Sequence, residues 1–310
     1  MAFHTGGEVL VAIGPEPVPG TLSTELVWIR PNQVNFKRNI EKEKLAQALG
    51  VRDQYFDEQI IRDTGAGTIK YYLDSTTAGH LLKAIFGNVA TTGAASVRTH
   101  AFTLADKTAL TPSLSIIRKG PNYSEQFLGA RIVNLVLEIT SDNWVMATVE
   151  FISGTPTPYA SAVGSLDSSS LFPNTEAQFA VASTINAAKA AANTRPKSLT
   201  ITINQNTVGY TGIGAKDFSQ IVSGRWSIMA EVVQLFKDSA NRTAWIDSAN
   251  KAAYLKLVGD RNAGAAAGAA KPELTIEIPN YKIESWNDSE ELDTHSTNCL
   301  LYTSPSPRDS

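Results

Sequence analysis

Asp63-Thr64-Gly65-Ala66 holds the residue types in this chain with the most chemistry in them. An aspartate in a D-T-G-A setting can share a proton with a second aspartate, because two carboxylates in contact cannot both ionise. Such a dyad activates water for peptide hydrolysis. It needs a buried apolar strand leading into the aspartate and a later apolar-apolar-Gly support. Here the charged Arg62 precedes Asp63, and no such support follows. The competing reading is a polar turn ahead of a strand, with Gly65 and Gly67 as turn residues, and that reading is favoured.

The remaining candidates are weaker. The four histidines are His4, His80, His100 and His295. None lies three or four residues from another, so helical zinc spacing is missing. His80 falls on a short helical stretch and His100 opens a strand, which are structural settings. G-x-S-x-G, a P-loop and a dinucleotide fingerprint do not occur. Gly259–Ala270 (GDRNAGAAAGAA) has the glycines of a phosphate cradle, but Lys271 is followed by Pro272 and no helix opens there, so it reads as a surface loop. Arg30, Lys37, Arg38, Lys42 and Lys44 form the densest basic cluster. Glu41 and Glu43 interleave with it, which suits a solvated face or a salt-bridged subunit surface better than a nucleic-acid stripe. The reading is therefore no enzyme, with no catalytic, cofactor-binding or metal-ligating residue assigned and no cofactor.

What positions these residues is mostly strand. Thr68–Leu73 is β-branched and aromatic. Thr76 or Thr77 can cap a helix whose Leu81, Leu82, Ile85 and Phe86 fall at helical spacing, with Gly87 as its stop. The period then changes to two. Ile132–Ile139 and Trp144–Ile152 alternate on either side of Ser141-Asp142-Asn143, a hairpin signal. Upstream, LVWIRPNQVNFKR reads as a strand after a Pro/Gly loop at Gly14–Gly20, and Ile40–Gly50 as a short helix ended by Gly50. Downstream, SLTITINQNTV, GRWSIMAEVVQLF, AAYLKLV and PELTIEIPNYKIES read as strands, with a short helix at NRTAWIDSA. The tryptophans, Trp28, Trp144, Trp226, Trp245 and Trp286, fall mostly in these strands or that helix.

The boundaries follow. Residues 1–67 are an N-terminal arm and loop, and 68–154 a first β half with its helix. Residues 155–197 are a Thr/Pro/Ser/Ala-rich linker or insertion with a possible helix at Thr184–Ala192. Residues 198–298 are a second β half. The halves share an order of strands around one helix, a hint of duplication. In that comparison the second half lacks a counterpart of Trp144–Ile152. The last twelve residues, CLLYTSPSPRDS, resemble the translated end of a sequencing-library transposon and its adapter. On that reading the native chain is truncated near Asn298, and Cys299, the single cysteine, belongs to the scar. A net charge of −3 supplies no global field for nucleic acid or membrane. Neither a charged leader with an apolar core nor a bilayer-length apolar run is present.

An ordered series of segments then carries a family resemblance. VAIGPEPVPGT is followed by GTIKYYLDSTTAGHLLKAIFGNVAT and by the strand His100–Thr103. Next come SLSII and GARIVNLVLEI. In the second half follow an SLTI-N strand, a G-x-W-S strand ending near Leu235-Phe236, and Pro272–Ile283. The series resembles the tail tube (major tail) proteins of long-tailed bacteriophages over about Glu8 to Trp286. The resemblance implies a mainly β fold, a tail-tube-type β-sandwich with short flanking helices, in one copy or in two related halves. It implies a virion protein that assembles in the host bacterial cytoplasm. Its partners are then itself, in rings and stacked tubes, and the tape measure, tail terminator and tail tip proteins. DNA passes the lumen without specific binding, and no membrane is involved. Six chains make a ring if the chain is one unit, and three if it is two. Gly6–Gly20 or Val51–Gly67 would bridge rings. The alternative is another β-sandwich assembly protein: a type VI secretion tube-like subunit, a decoration domain or a receptor-binding module.

Overall fold

Apolar residues at every second position force strands to share faces, and here they do so in antiparallel ladders throughout. The computed structural model describes residues 8–45, 57–94, 97–105, 110–166, 168–191, 193–235, 240–262, 270–291 and 294–303. The first half contains β1 (Leu10–Pro15), β2 (Val27–Ile29), β3 (Gln33–Leu45), β4 (Asp57–Tyr72), helix α1 (Ser75–Phe86), β5 (Gly87–Ala94), β6 (Val97–Leu104), β7 (Leu114–Lys119), β8 (Ser124–Thr140) and β9 (Met146–Ser153). Then come β10 (Thr157–Pro158), β11 (Gln178–Ala182), helix α2 (Ile185–Ala190), β12 (Ser198–Asn204), β13 (Val208–Tyr210), β14 (Gln220–Val222) and β15 (Ser227–Leu235). Helix α3 (Ala240–Ile246), β16 (Lys251–Val258), β17 (Glu273–Glu291) and β18 (Thr294–Thr303) complete the order.

The main sheet runs β3-β4-β9-β8-β12-β15-β18-β17. Two smaller layers branch from it. β2-β1-β7 pairs with the first part of β8, and β11-β16 with the first part of β17. β8 and β17 therefore each serve two layers, and the core fills the space between. Val11, Ile69, Ile85, Ile116, Phe127, Phe151, Leu199 and Leu255 all belong to one apolar cluster, so both halves bury against each other. The result is mainly β and sandwich-like, as the alternation predicts.

The halves repeat one topology. In the first, β1 pairs β7, β7 pairs β8, β8 pairs β9, β9 pairs β4 and β4 pairs β3, with α1 between β4 and β7. In the second, β11, β16, β17, β18, β15 and β12 take the same places, with α3 between β15 and β16.

Several expectations change. Ile40–Leu45 continues β3 as strand, and residues 46–50 lie outside the described residues. Pairing with β4 gives this stretch a full backbone ladder, which outweighs the helix propensity of its Glu, Lys and Leu residues. Gly65 and Gly67 are interior to β4, between β3 and β9, and are no turn. A Cβ on Gly67 would sit 2.6 Å from the Phe36 ring and 2.8 Å from that of Phe151. Glycine is what lets the edge-on cluster of Phe36, Phe127 and Phe151 close over the strand, with centroids 4.9–5.6 Å apart. LVWIRPNQVNFKR is split into β2 and β3, and Pro31, which has no N–H to give a ladder, lies in the break. The segment 155–197 carries β10, β11 and α2, and β11 is laddered to β16 along Gln178–Ala182. The place of Trp144–Ile152 in the second half is taken by β18, whose Cys299–Thr303 belong to the segment that resembles a sequencing adapter. β18 fills the slot between β15 and β17, where two facing edges otherwise lack partners.

Helix α1 shows how local rules seat an element. Its cap is Asp74, two residues before the first of the threonines expected. Asp74 Oδ1 accepts from the amides of Thr76 at 2.9 Å and Thr77 at 2.7 Å, and Oδ2 accepts from the Thr77 hydroxyl. Gly87 ends the helix at φ 80°, with its N–H on the Lys83 carbonyl. Leu81, Leu82, Ala84 and Ile85 are the buried face. Asp74→Ala strips the cap and also the Ser169 hydroxyl's acceptor. It is expected to cost about 1–2 kcal/mol, read as a lowered midpoint in thermal or urea unfolding with the fold retained.

Candidate assembly surface

Asp63 lies in β4 with its side chain 13% exposed. The Arg38 guanidinium donates to both its oxygens, Nε to Oδ1 at 2.8 Å and Nη2 to Oδ2 at 2.6 Å. That fork is the main reason its carboxyl is held below the ordinary aspartate range, against a smaller opposing effect of burial. A proton-sharing dyad needs a second carboxylate where this guanidinium stands. The Asp63 backbone is also engaged: its N–H donates to the Lys216 carbonyl at 2.8 Å, and its C=O accepts from the Thr155 hydroxyl at 2.7 Å. Asp63 is a tie between strands.

The other sequence candidates are also dispersed. His100 Nδ1 lies 2.9 Å from the Thr91 hydroxyl on the exposed β5-β6 hairpin, and His80 is half-buried on α1. His4 lies outside the described residues, and His295 is a β18 position. Among the described residues no three His, Cys, Asp or Glu groups gather as a metal site. Of the glycine-rich loop, residues 263–269 lie outside the described residues. At its start, Asp260 accepts from the Ser170 hydroxyl and the Leu171 amide, each at 2.9 Å, which fastens the loop base.

The interleaved charges read from the sequence form a surface ribbon. β9 covers β4 only over Gly65–Tyr72, so Ile40–Leu45 and Asp57–Thr64 run on as a two-stranded ribbon beyond the sheet. Expected as loop, residues 57–67 are strand. Lys42 meets Glu58 at 2.5 Å and Arg62 meets Glu41 at 3.0 Å across the ribbon. Exposed pairs of this kind contribute at most about 1 kcal/mol each. They set the register and keep the ribbon soluble. Ile40 and Ile61 are each 44% exposed on it, apolar area left uncovered.

Glu16 was not singled out by the sequence reading. It is buried, and its carboxylate collects the amides of Gly20 and Gly129, each at 2.8 Å, with the hydroxyls of Ser113 at 2.6 Å and Ser115 at 3.0 Å. The knot pins the Pro/Gly loop after β1 to β7 and β8. The one signal was the spacing Gly14-x-Glu16 with Gly20-Thr21. A second surface is the β13-β14 hairpin, where Val208 is 59% and Tyr210 70% exposed.

The main sheet ends in two open edges. β3 is paired only to β4. The last part of β17 is paired only to β18, among the described residues. The family profile described as "Phage tail tube protein" matches residues 6–287. The chain belongs to the phage tail tube protein family. No curated protein sequence matches the chain. The family is one of structural virion proteins. The β3-β4 ribbon and the β13-β14 hairpin both expose large apolar side chains. None of the chain's helices is long and apolar enough to cross a membrane, among the described residues.

Asp63→Asn discriminates tie from catalyst. It is expected to leave folding and assembly intact while losing up to about 1 kcal/mol. Because the carboxyl is depressed in the folded state, the pair stabilises fully above the unfolded aspartate value near 4 and fades as pH falls through the folded value. The gap in unfolding midpoint between the parent chain and Asp63→Asn should therefore shrink on acidification, and a gap that widens below about pH 4 contradicts the assignment.

Proposed function

We propose that this chain is the subunit of a phage tail tube: copies close into rings, and rings stack into a hollow tube through which DNA enters the host. Family membership supports the class of protein. The open main sheet supports the mode of assembly. An eight-stranded sheet with free edges on β3 and β17 is an aggregation hazard in a monomer and a joint in a ring. The ribbon of β3 and β4 reaches beyond the sheet with Ile40 and Ile61 uncovered, and it serves as the bridge to the next ring. The two halves repeat one strand order, which supports a reading in which each copy supplies two units and a six-unit ring closes with three chains.

A conduit must not hold what it conducts. Phosphate contacts from lysine and arginine would bind DNA and stall it. The interleaved acids on β3 and β4 and the net charge of −3 suit free passage. The partners on this reading are the chain itself, the tape measure protein inside the tube, the terminator at one end and the tip at the other. The site of action is the virion tail after assembly in the bacterial cytoplasm.

Negative-stain electron microscopy of the full chain tests this. Rings or tubes with a central hole are expected, and class averages count the chains. A monodisperse monomer at high concentration, with β18 intact, overturns the reading.

A further inference from the structure

The internal repeat extends to single residues. In β8, Leu128 and Gly129 together face the single Ser115 between Phe127, opposite Ile116, and Ala130, opposite Leu114. Against β9, Val133 is extra between Ile132 and Asn134. In β17, Pro279 and Asn280 together face the single Ala252 between Ile278, opposite Ala253, and Tyr281, opposite Lys251. Against β18, Glu284 is extra between Ile283 and Ser285. Both irregularities recur at the same spacing, so Phe127 corresponds to Ile278, Ala130 to Tyr281 and Val133 to Glu284. Asn134–Thr140 of β8 then corresponds to Ser285–Glu291 of β17.

The same alignment carries across the sheet. One row reads Val136, Thr148, Lys70, Gln33, and its repeat reads Asn287, Asn298, Val233, Ser198. Gln33–Asn39 of β3 therefore corresponds to Ser198–Asn204 of β12. Burial agrees: Val34 and Phe36 are half-buried where β12 buries Leu199 and Ile201.

Within the chain the halves are joined by one ladder, β8 to β12, from Asn134 opposite Asn204 to Thr140 opposite Ser198. The strand equivalent to β8 is β17, and the strand equivalent to β12 is β3. Their corresponding edges are the two left open. We propose that the chain's internal joint is repeated between chains, resting on the ring-forming reading above. The free edge of β17 pairs antiparallel with β3 of a second copy, placing Ser285 opposite Asn39, Asn287 opposite Lys37, Ser289 opposite Asn35 and Glu291 opposite Gln33. The occupant of each open edge is another copy of this chain. Repeating one rotation from unit to unit, within and between chains, closes the ring and leaves no edge.

The test is register-specific cross-linking of the full chain in a Cys299→Ser background. Facing residues of an antiparallel ladder lie about 4.5–5.5 Å apart at Cα, within disulfide reach. Asn35→Cys with Ser289→Cys places one thiol on each partner edge. Asn35→Cys with Ser285→Cys is displaced by four residues, about 13 Å along the strand, beyond reach. Thr140→Cys with Ser198→Cys, a facing pair of the internal joint, calibrates oxidation by loss of free thiols within one chain. Under oxidation the Asn35/Ser289 pair is expected to give a reducible ladder of linked copies, and the displaced pair none. Rings or tubes that form without that ladder, while the internal pair closes, overturn the joint and leave the tube function standing. Equal linking by the displaced pair overturns the register. A chain that stays monomeric in every variant, the parent included, overturns ring formation and the joint together.

Discussion

A strand satisfies its main-chain N–H and C=O groups only through neighbours, and β8 is the strand on which most neighbours depend. Over Asn134–Glu138 it has β9 on one edge and β12 on the other, while its first part pairs with β7. One strand can serve a main sheet and a side layer only if it bends between them. The bend is built from Leu128 and Gly129, two residues that face one of β7, with Gly129 at φ 64°, and from the bulge at Val133. Helix α1, the side layer and the core cluster all take their positions from that change of direction.

The bend is held by polar groups in an otherwise apolar region. The Gly129 amide at the bend donates to Glu16, and two residues further on Arg131 is buried, donating to the Thr111 carbonyl and, at 2.8 Å, to its hydroxyl. Burial lowers the Arg131 pKa and the Glu16 charge opposes that. Buried ionic groups of this kind add little net stability, because desolvation offsets attraction, but leaving one without its partner is costly. The arrangement therefore fixes which way the strand turns and where the loop after β1 sits.

Much of this was legible in residue order. The hairpin of β8 and β9, the strict alternation of β12, the three helices and the apolar face of α1 follow from periodicity, which depends only on the neighbours along the chain. The losses have one cause. The strand character of Ile40–Leu45 comes from pairing with Asp57–Arg62, a long-range contact that local propensity cannot report. Gly65 and Gly67 read as turn residues because the side chains that require them, Ser153 and Phe127 at Gly65 and Phe36 and Phe151 at Gly67, are distant in sequence. Asp74 was passed over as the cap because two threonines stand beside it. The Glu16 knot draws on residues about a hundred positions away. The resemblance to tail tube proteins was legible because it rests on the order of segments, which survives when individual contacts are invisible.

The repeat also explains a difference between the two joints. β8 presents Leu135, Leu137 and Ile139 opposite Ile203, Ile201 and Leu199, so the internal joint buries apolar side chains continuously and is permanent. At the corresponding places β17 has Trp286, Asp288 and Glu290, and β3 has Arg38, Phe36 and Val34. A joint of that composition draws more on main-chain pairing and opposite charge, and less on apolar burial. An edge that was as apolar as β8 would pair indiscriminately before assembly began. Acidic residue types on one edge and basic ones on the other discourage like-with-like pairing of edges and admit only the heterologous contact that closes a ring. On the proposed joint, the same topology would serve as a core within one chain and as a selective contact between chains.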